Sequence, residues 1–156
     1  MANLTENVKL LQKAVLFHHG RFLIVQRAAN SDSRPSCWDL PGGNAEWPAD
    51  FIGNQENMHM EDISREIKEE TGINVLSQHF TKENLTFFRT FYEAKKEVYT
   101  IITGWKVELP SDFDRKVVAL SSEHIDHKWV SIDELSDYDF GGKRGEFIID
   151  IIRGSI

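Results

Sequence analysis

Residues 60–73 read M-E-D-I-S-R-E-I-K-E-E-T-G-I, and this stretch decides the fold. Its buried-type residues recur at the spacing of an α-helix, and they are Met60, Ile63, Ile67 and Thr71. Gly72 follows at the place where helices commonly end on a glycine in a left-handed conformation. The sequence therefore predicts an amphipathic helix over residues 60–71 with Gly72 as its C-terminal cap.

The predicted helix carries three glutamates on a second face. At 100° per residue, Glu66, Glu69 and Glu70 fall within an arc of about 100°. Neighbouring carboxylates repel each other by about 0.2–0.5 kcal/mol per i,i+4 pair. The spacing leaves two interpretations open: a solvated acidic face softened by Arg65 and Lys68, or a site for a divalent cation that prefers oxygen ligands.

The rest of the chain predicts a sheet around this helix. Residues 14–17 and 21–25 are apolar and β-prone, and they flank H-H-G, so they predict a hairpin. The other predicted elements are a second hairpin over 85–92 and 98–109, a short strand over 36–43 that stops at Pro41 and two glycines, a strand over 127–131, a short helix over 132–135 and a final helix over about 143–153. This irregular alternation predicts an α/β fold in which a mixed sheet carries helices on both faces.

Length, charge and cysteine usage limit the classes of protein. A chain of 156 residues without repeats or linkers is expected to form a single domain over 1–156. The net charge, 18 − 25 = −7, argues against broad nucleic-acid binding or binding to acidic membranes. No apolar run reaches the ~18–20 residues that a membrane span needs. Cys37 is the only cysteine, and no secretory leader is visible, so we expect a cytoplasmic protein.

The segments around the helix resemble a known family. Gly42-Gly43 followed by R-E-I-K-E-E-T-G-I over residues 65–73 resembles the signature of Nudix hydrolases. W-D-L-P-G-G over 38–43 looks like that family's lead-in, and Q-R-A over 26–28 looks like its usual strand ending. The resemblance covers about residues 12–136. It implies a Nudix-type α/β/α sandwich around a mixed β-sheet.

The resemblance also implies a chemistry and a set of roles. The reaction would be an Mg²⁺-dependent (or Mn²⁺-dependent) attack of water on a diphosphate linkage, in a small nucleoside diphosphate derivative. The implied metal ligands are Glu69, Glu70, the backbone carbonyl of Gly42 and, six residues before Trp129, Glu123. Glu66 is implied as a further ligand or as the general base, and Arg65 as the residue that holds the glutamates in place. Arg27 is assigned to the substrate, with a simple surface charge as the alternative.

The match fails between the two halves of the signature. The segment from Gly43 to Arg65 is eight residues longer than the family spacing, and Asn57 stands where the first glutamate of the signature belongs. The insertion, from Trp47 to about Glu56, is interpreted as a lid or pocket wall, as an ordinary surface loop, or as the contact of a homodimer. Two other functions stay open on the same scaffold: a non-catalytic nucleotide-binding protein and an isoprenoid-diphosphate isomerase.

Overall fold

The computed structural model describes residues 7–46 and 53–156, so Trp47, Pro48 and Phe51 of the predicted lid lie outside the described residues. The described residues form seven strands and two α-helices. In chain order these are β1 Val8–His18, β2 Arg21–Arg27, β3 Trp38–Asp39, β4 Gly42–Asn44, α1 Met58–Thr71, β5 Leu85–Glu93, β6 Val98–Glu108, β7 His124–Val130 and α2 Glu146–Gly154. None of the described helices is long and apolar enough to cross a membrane.

The strands form one mixed sheet. Its main path runs β3-β2-β1-β6-β5, while β4 pairs with β1 and β7 pairs with β2. The β1–β6 pair is parallel, and the other pairs are antiparallel. Both predicted hairpins are confirmed, as β1–β2 and β5–β6. The prediction of a mixed sheet is confirmed as well.

Strand β1 shows why helices lie on both faces of the sheet. Successive side chains of a strand point to opposite faces, so Ala14 and Leu16 enter one core while Val15 and Phe17 enter the other. The helical residues that complete these two cores are Ile63 and Ile67 of α1 on the first face and Ile148, Ile151 and Ile152 of α2 on the second. This arrangement is the predicted α/β/α sandwich.

Helix α1 agrees with its prediction at the C-terminal end. It ends at Thr71, and Gly72 has a φ of 76° and donates its N–H to the Lys68 carbonyl at 2.9 Å. The helix begins at Met58, two residues before the predicted start. Asn57 precedes it with a φ of 54°. The last turn of α1 lies beside β4, where the Glu70 carboxylate accepts the Gly42 N–H.

The single strand predicted over residues 36–43 is wrong. Two strands form, β3 before Pro41 and β4 after it, because the glycines pair with β1 instead of ending the ladder. Gly42 lies opposite Lys13 with a φ of 143°, and a Cβ there would overlap the Gln12 carbonyl oxygen. Only glycine permits this close backbone approach. The approach brings the P-G-G turn against the end of α1.

Candidate active site and metal centre

A cleft of about 590 Å³ opens where β4, the last turns of α1 and the start of β7 meet. Five of the seven residues predicted for the site line it, namely Arg27, Gly42, Glu66, Glu70 and Glu123. The other two, Arg65 and Glu69, do not line it. The fold thus brings together residues that are up to 96 positions apart in the chain, from Arg27 to Glu123.

Glu70 is the most buried carboxylate of the cleft, with 5% of its surface exposed. The Gly42 N–H donates a hydrogen bond to its Oε2 atom at 3.0 Å. The pKa of Glu70 is raised to about 8, mainly by burial and also by the Glu66 and Asp39 carboxylates, although Lys13 and the Gly42 N–H act in the opposite direction. The carboxyl is therefore protonated near neutral pH unless a cation binds beside it.

Glu66 lies one helical turn earlier, between the cleft and the solvent. Burial raises its pKa above the ordinary value, and the Arg65 guanidinium lowers it, while the carboxylates of Glu69, Glu46 and Glu123 raise it. A Cβ on Gly43 would lie 3.0 Å from the Glu66 carboxyl carbon. Because Gly43 has no side chain, the Glu66 carboxylate can approach the P-G-G turn closely.

Arg65 and Glu69 lie on the solvent side of the same helix. The Arg65 guanidinium is 3.4 Å from Glu66 Oε1, 3.4 Å from Glu69 Oε2 and 3.1 Å from Asp62 Oδ1. The Glu69 side chain is 57% exposed. The helical arc predicted from the sequence therefore divides: Glu66 and Glu70 turn into the cleft, whereas Glu69 pairs with Arg65 outside it.

Glu123 and His124 close the cleft from the start of β7. One carboxylate oxygen from each of Glu70 and Glu123 and one ring nitrogen of His124 all lie within 4.8 Å of one another. Burial lowers the pKa of His124 to about 4, so its imidazole is neutral at physiological pH. The spacing between histidines did not predict His124 as a site residue, because its partners in the cleft are glutamates and not histidines. Its position next to Glu123 was the sequence feature that could have indicated it.

A buried network around Asp39 forms the floor beside the cleft. Asp39 is fully buried and contacts Lys13 Nζ at 3.2 Å, Arg27 Nη1 at 2.9 Å and Arg34 Nη2 at 2.9 Å. Burial alone raises the pKa of Asp39, but Lys13, Arg34, the Leu40 N–H and Arg27 together hold it at about 2. One carboxylate thus faces three cations, and two of them, Lys13 and Arg27, line the cleft.

The predicted substrate residue, Arg27, is therefore already engaged. Besides Asp39, its Nε donates to the Ser33 carbonyl at 2.7 Å and its Nη2 donates to Ser31 Oγ at 2.8 Å. A guanidinium has five N–H donors, so two have no hydrogen-bond partner among the described residues. Lys13, Asp39 and Arg34 were not predicted as site residues from the sequence, because their contacts depend on how β1 and the loop between β2 and β3 are placed around Asp39.

The residues present fit a divalent cation. The cleft offers the carboxylates of Glu66, Glu70 and Glu123, and oxygen ligands are those that Mg²⁺ and Mn²⁺ prefer. Glu70 is buried and is not paired with a side-chain cation within salt-bridge distance among residues 7–46 and 53–156. A buried carboxylate of this kind becomes ionised most readily when a cation binds next to it.

Comparison with known proteins identifies the family. The NUDIX domain model matches residues 14–151. No curated protein sequence matches the chain. Among solved structures, the MutT protein from Methanosarcina mazei is similar over 97% of both chains, with 25% identity and a TM-score of 0.66.

Two further structures share the fold and contain nucleotide-type ligands. The NUDIX domain of Shewanella oneidensis NrtR, complexed with ADP ribose, has 16% identity and a TM-score of 0.63 over 92% of this chain and 85% of that one. A bifunctional NMN adenylyltransferase/ADP ribose pyrophosphatase from Francisella tularensis, complexed with AMP and a Mn ion, has 18% identity and a TM-score of 0.57 over 99% of this chain and 43% of that one. The chain itself belongs to the NUDIX family and is a hydrolase that acts on pyrophosphate bonds.

Proposed function

We propose that this protein hydrolyses the diphosphate linkage of a small nucleoside diphosphate derivative with Mg²⁺ or Mn²⁺ as its cofactor. The observation that carries the proposal is the buried Glu70 carboxylate, which lies within 4.8 Å of the Glu123 carboxylate in the cleft. The ADP ribose and AMP complexes of the two structural neighbours support a nucleotide-type ligand.

The proposed metal ligands are the acidic residues around the P-G-G turn. Glu70 and Glu123 form the inner pair, Glu66 approaches from the same face of α1, and the Gly42 carbonyl is proposed from the family resemblance. Glu69 is proposed as an outer ligand that exchanges its contact with Arg65 for the cation. A divalent cation held there neutralises phosphate charge and lowers the pKa of a bound water.

Glu66 is the proposed general base. Its carboxylate faces the cleft, and its raised pKa brings it closer to the range in which a carboxylate accepts a proton from water effectively. Arg65, at 3.4 Å from Glu66 and from Glu69, acts as a positioning residue because it restrains both side chains without lining the cleft. The base Glu66 and the inner ligand Glu70 thus come from one helix, whereas the other inner ligand, Glu123, comes from the residue before β7.

Lys13 and Arg27 are proposed to hold the phosphates. Both line the cleft, and the three cations around Asp39 exceed its single negative charge. Arg34 supplies part of the positive charge that neutralises Asp39, and it does not line the cleft. Lys13 and Arg27 therefore keep part of their positive charge for a ligand in the cleft. This wall opposes the carboxylates and favours an anionic substrate between them.

The experiment is a hydrolysis screen of the full chain after removal of metal with a chelator. Nucleoside diphosphate sugars, nucleoside triphosphates and dinucleoside polyphosphates are incubated with Mg²⁺ or Mn²⁺, and the phosphorus products are quantified. We expect hydrolysis that disappears in excess chelator and returns with the metal. Full hydrolysis in excess chelator would contradict the proposal.

The same screen separates the two alternatives. Tight nucleotide binding without turnover would indicate a non-catalytic binding protein. Conversion of an isoprenoid diphosphate without phosphate release would indicate an isomerase; Cys37, however, does not line the described cleft. A cytoplasmic location, a homodimer and a single domain over 1–156 stay predictions from the sequence, and gel filtration with light scattering measures the oligomeric state.

A further inference from the structure

His124 is a buried residue of the cleft with an unused ring nitrogen. Only 9% of its surface is exposed, and its Nδ1 has no hydrogen-bond partner among the described residues. A buried polar atom without a partner costs free energy, and native structures rarely leave one in that state. The imidazole therefore requires a partner that the protein atoms described here do not supply.

The backbone holds His124 and Glu123 in place. The Glu123 carbonyl accepts the Ala28 N–H at 2.9 Å, and the His124 N–H donates to the Ser121 carbonyl at 3.2 Å. His124 is also the first residue of β7, where it pairs with Arg27 of β2. These contacts fix the backbone of Glu123 and His124, whose side chains both line the cleft.

Nearby side chains do not satisfy the free nitrogen. Lys13 directs its ammonium to Asp39 and to the Leu40 carbonyl at 3.2 Å, and Arg27 bonds to Asp39. Glu70 and Glu123 each place a carboxylate oxygen within 4.8 Å of one of the two ring nitrogens of His124. One small cation can contact two oxygens and one nitrogen that are this close together.

We propose that His124 is a nitrogen ligand of the cation bound by Glu70 and Glu123, and that it shifts the preference of this site from Mg²⁺ towards Mn²⁺, Co²⁺ and Zn²⁺. The inference rests on the proposed metal-dependent function and deepens it. Mg²⁺ is a hard cation that prefers oxygen ligands and keeps several waters. Imidazole suits the first-row transition metals, which bind nitrogen more strongly.

The direct test is pulsed electron paramagnetic resonance of Mn²⁺ bound to the full wild-type chain, without substrate. We expect a modulation from ¹⁴N, which changes to the ¹⁵N frequency when only the histidines are labelled with ¹⁵N. This measurement needs no variant and no activity. Mn²⁺ bound with no histidine-nitrogen coupling would overturn the proposal.

Variants then assign the coupling to one histidine. His124→Ala is expected to remove the coupling and to weaken Mn²⁺ binding by at least about tenfold, the lower range for disturbing a metal site. Mg²⁺ affinity, measured by calorimetry, is expected to change by less than about twofold because Mg²⁺ depends on the oxygen ligands. The matched control is His127→Ala, which alters a histidine of the same strand that does not line the cleft.

The outcomes separate this inference from the proposed function. If Mn²⁺ binds in a Glu70-dependent manner but His124→Ala leaves the coupling and affinity unchanged, the inference fails and the proposed function stands. An equal loss of Mg²⁺ and Mn²⁺ affinity in His124→Ala would also overturn the shift in metal preference. If neither Mn²⁺ nor Mg²⁺ binds the wild-type chain, both the inference and the proposed function fail.

Discussion

Asp39 and Glu70 are two buried carboxyls at one cleft, and their surroundings shift their pKa values in opposite directions. Asp39 is fully buried but contacts three cationic side chains, which hold its pKa at about 2. Glu70 is nearly as buried, yet its direct polar partner is the Gly42 N–H, and burial raises its pKa to about 8. At neutral pH the same chemical group is therefore ionised at one place and largely protonated at the other.

This difference separates a carboxyl that the protein neutralises itself from one that has no cationic side-chain partner among the described residues. A buried charge that the protein neutralises itself contributes to the architecture, and here it joins β1, β2 and β3 through Lys13, Arg27 and Arg34. A buried acid with insufficient compensation weakens the metal-free fold and gains most when a cation binds. The predictions below test this contrast.

The largest effect is expected from Asp39→Asn. The substitution leaves three buried or half-buried cations without their carboxylate, so the free energy of unfolding should fall by about 3–5 kcal/mol. Chemical denaturation measures it. The control is Asp150→Asn, which breaks the exposed pair with Arg89 and should cost less than about 1 kcal/mol. Similar losses in the two variants would contradict a special role for the Asp39 network.

The depressed pKa of Asp39 also predicts an acid-dependent loss of stability. Its folded pKa of about 2 lies below the ordinary 3.8, so its stabilising contribution is present above pH 3.8 and is lost as the pH falls towards 2. At about 1.4 kcal/mol per pKa unit, this contribution is on the order of 2 kcal/mol. The difference in free energy of unfolding between the wild type and Asp39→Asn should therefore shrink in acid by on the order of 2 kcal/mol.

Glu70→Gln should remove most of the hydrolytic activity. Disturbing residues around a metal site typically costs 10–100-fold, and for a direct ligand we expect the upper end, about 100-fold or about 2.7 kcal/mol. Steady-state kinetics at saturating metal measure the loss. Glu61→Gln is the matched control on the exposed face of α1 and should keep parental turnover. Parental turnover in Glu70→Gln would remove Glu70 from the proposed ligands.

The same Glu70→Gln substitution should stabilise the metal-free protein. The folded pKa of Glu70, about 8, lies above the ordinary 4.5, so its contribution to stability is fully present below pH 4.5 and is lost as the pH rises to about 8. Gln cannot ionise, and a gain on the order of 2 kcal/mol is expected at pH 8 after relaxation and water entry are allowed for. Thermal unfolding in chelator at pH 4.5 and pH 8 measures it; a gain that does not increase with pH would contradict the contrast with Asp39.

The smallest effect is expected from Glu69→Gln. Glu69 is exposed and lies outside the cleft, so its loss should leave metal-free stability unchanged and lower turnover by about tenfold, the lower range for a metal-site residue. Kinetics with Mg²⁺ titration measure the change. A loss as large as that of Glu70→Gln would show that Glu69 is an inner ligand and not an outer one.

Local sequence determined the scaffold of this protein. Helix α1, its Gly72 cap, the two hairpins and the mixed sheet all follow from hydrophobic period and turn residues, because these patterns act between residues close in the chain. The Nudix resemblance of residues 65–73 identified the family and brought Gly42, Glu66, Glu70 and Glu123 into one predicted site. These four residues line the same cleft.

Only the tertiary structure decided how the three helical glutamates divide. Helical spacing placed Glu66, Glu69 and Glu70 within one arc, but burial of Glu70 comes from the β4 turn and β7, which lie 28 and about 53 residues away in the chain. The network of Lys13 and Asp39 and the approach of His124 to Glu70 depend on strand pairing in the same way. Desolvation and charge pairing are set by neighbours that folding brings together. The sequence alone therefore names the acidic residues, while the packed sheet decides which of them is buried without a cationic side-chain partner among the described residues.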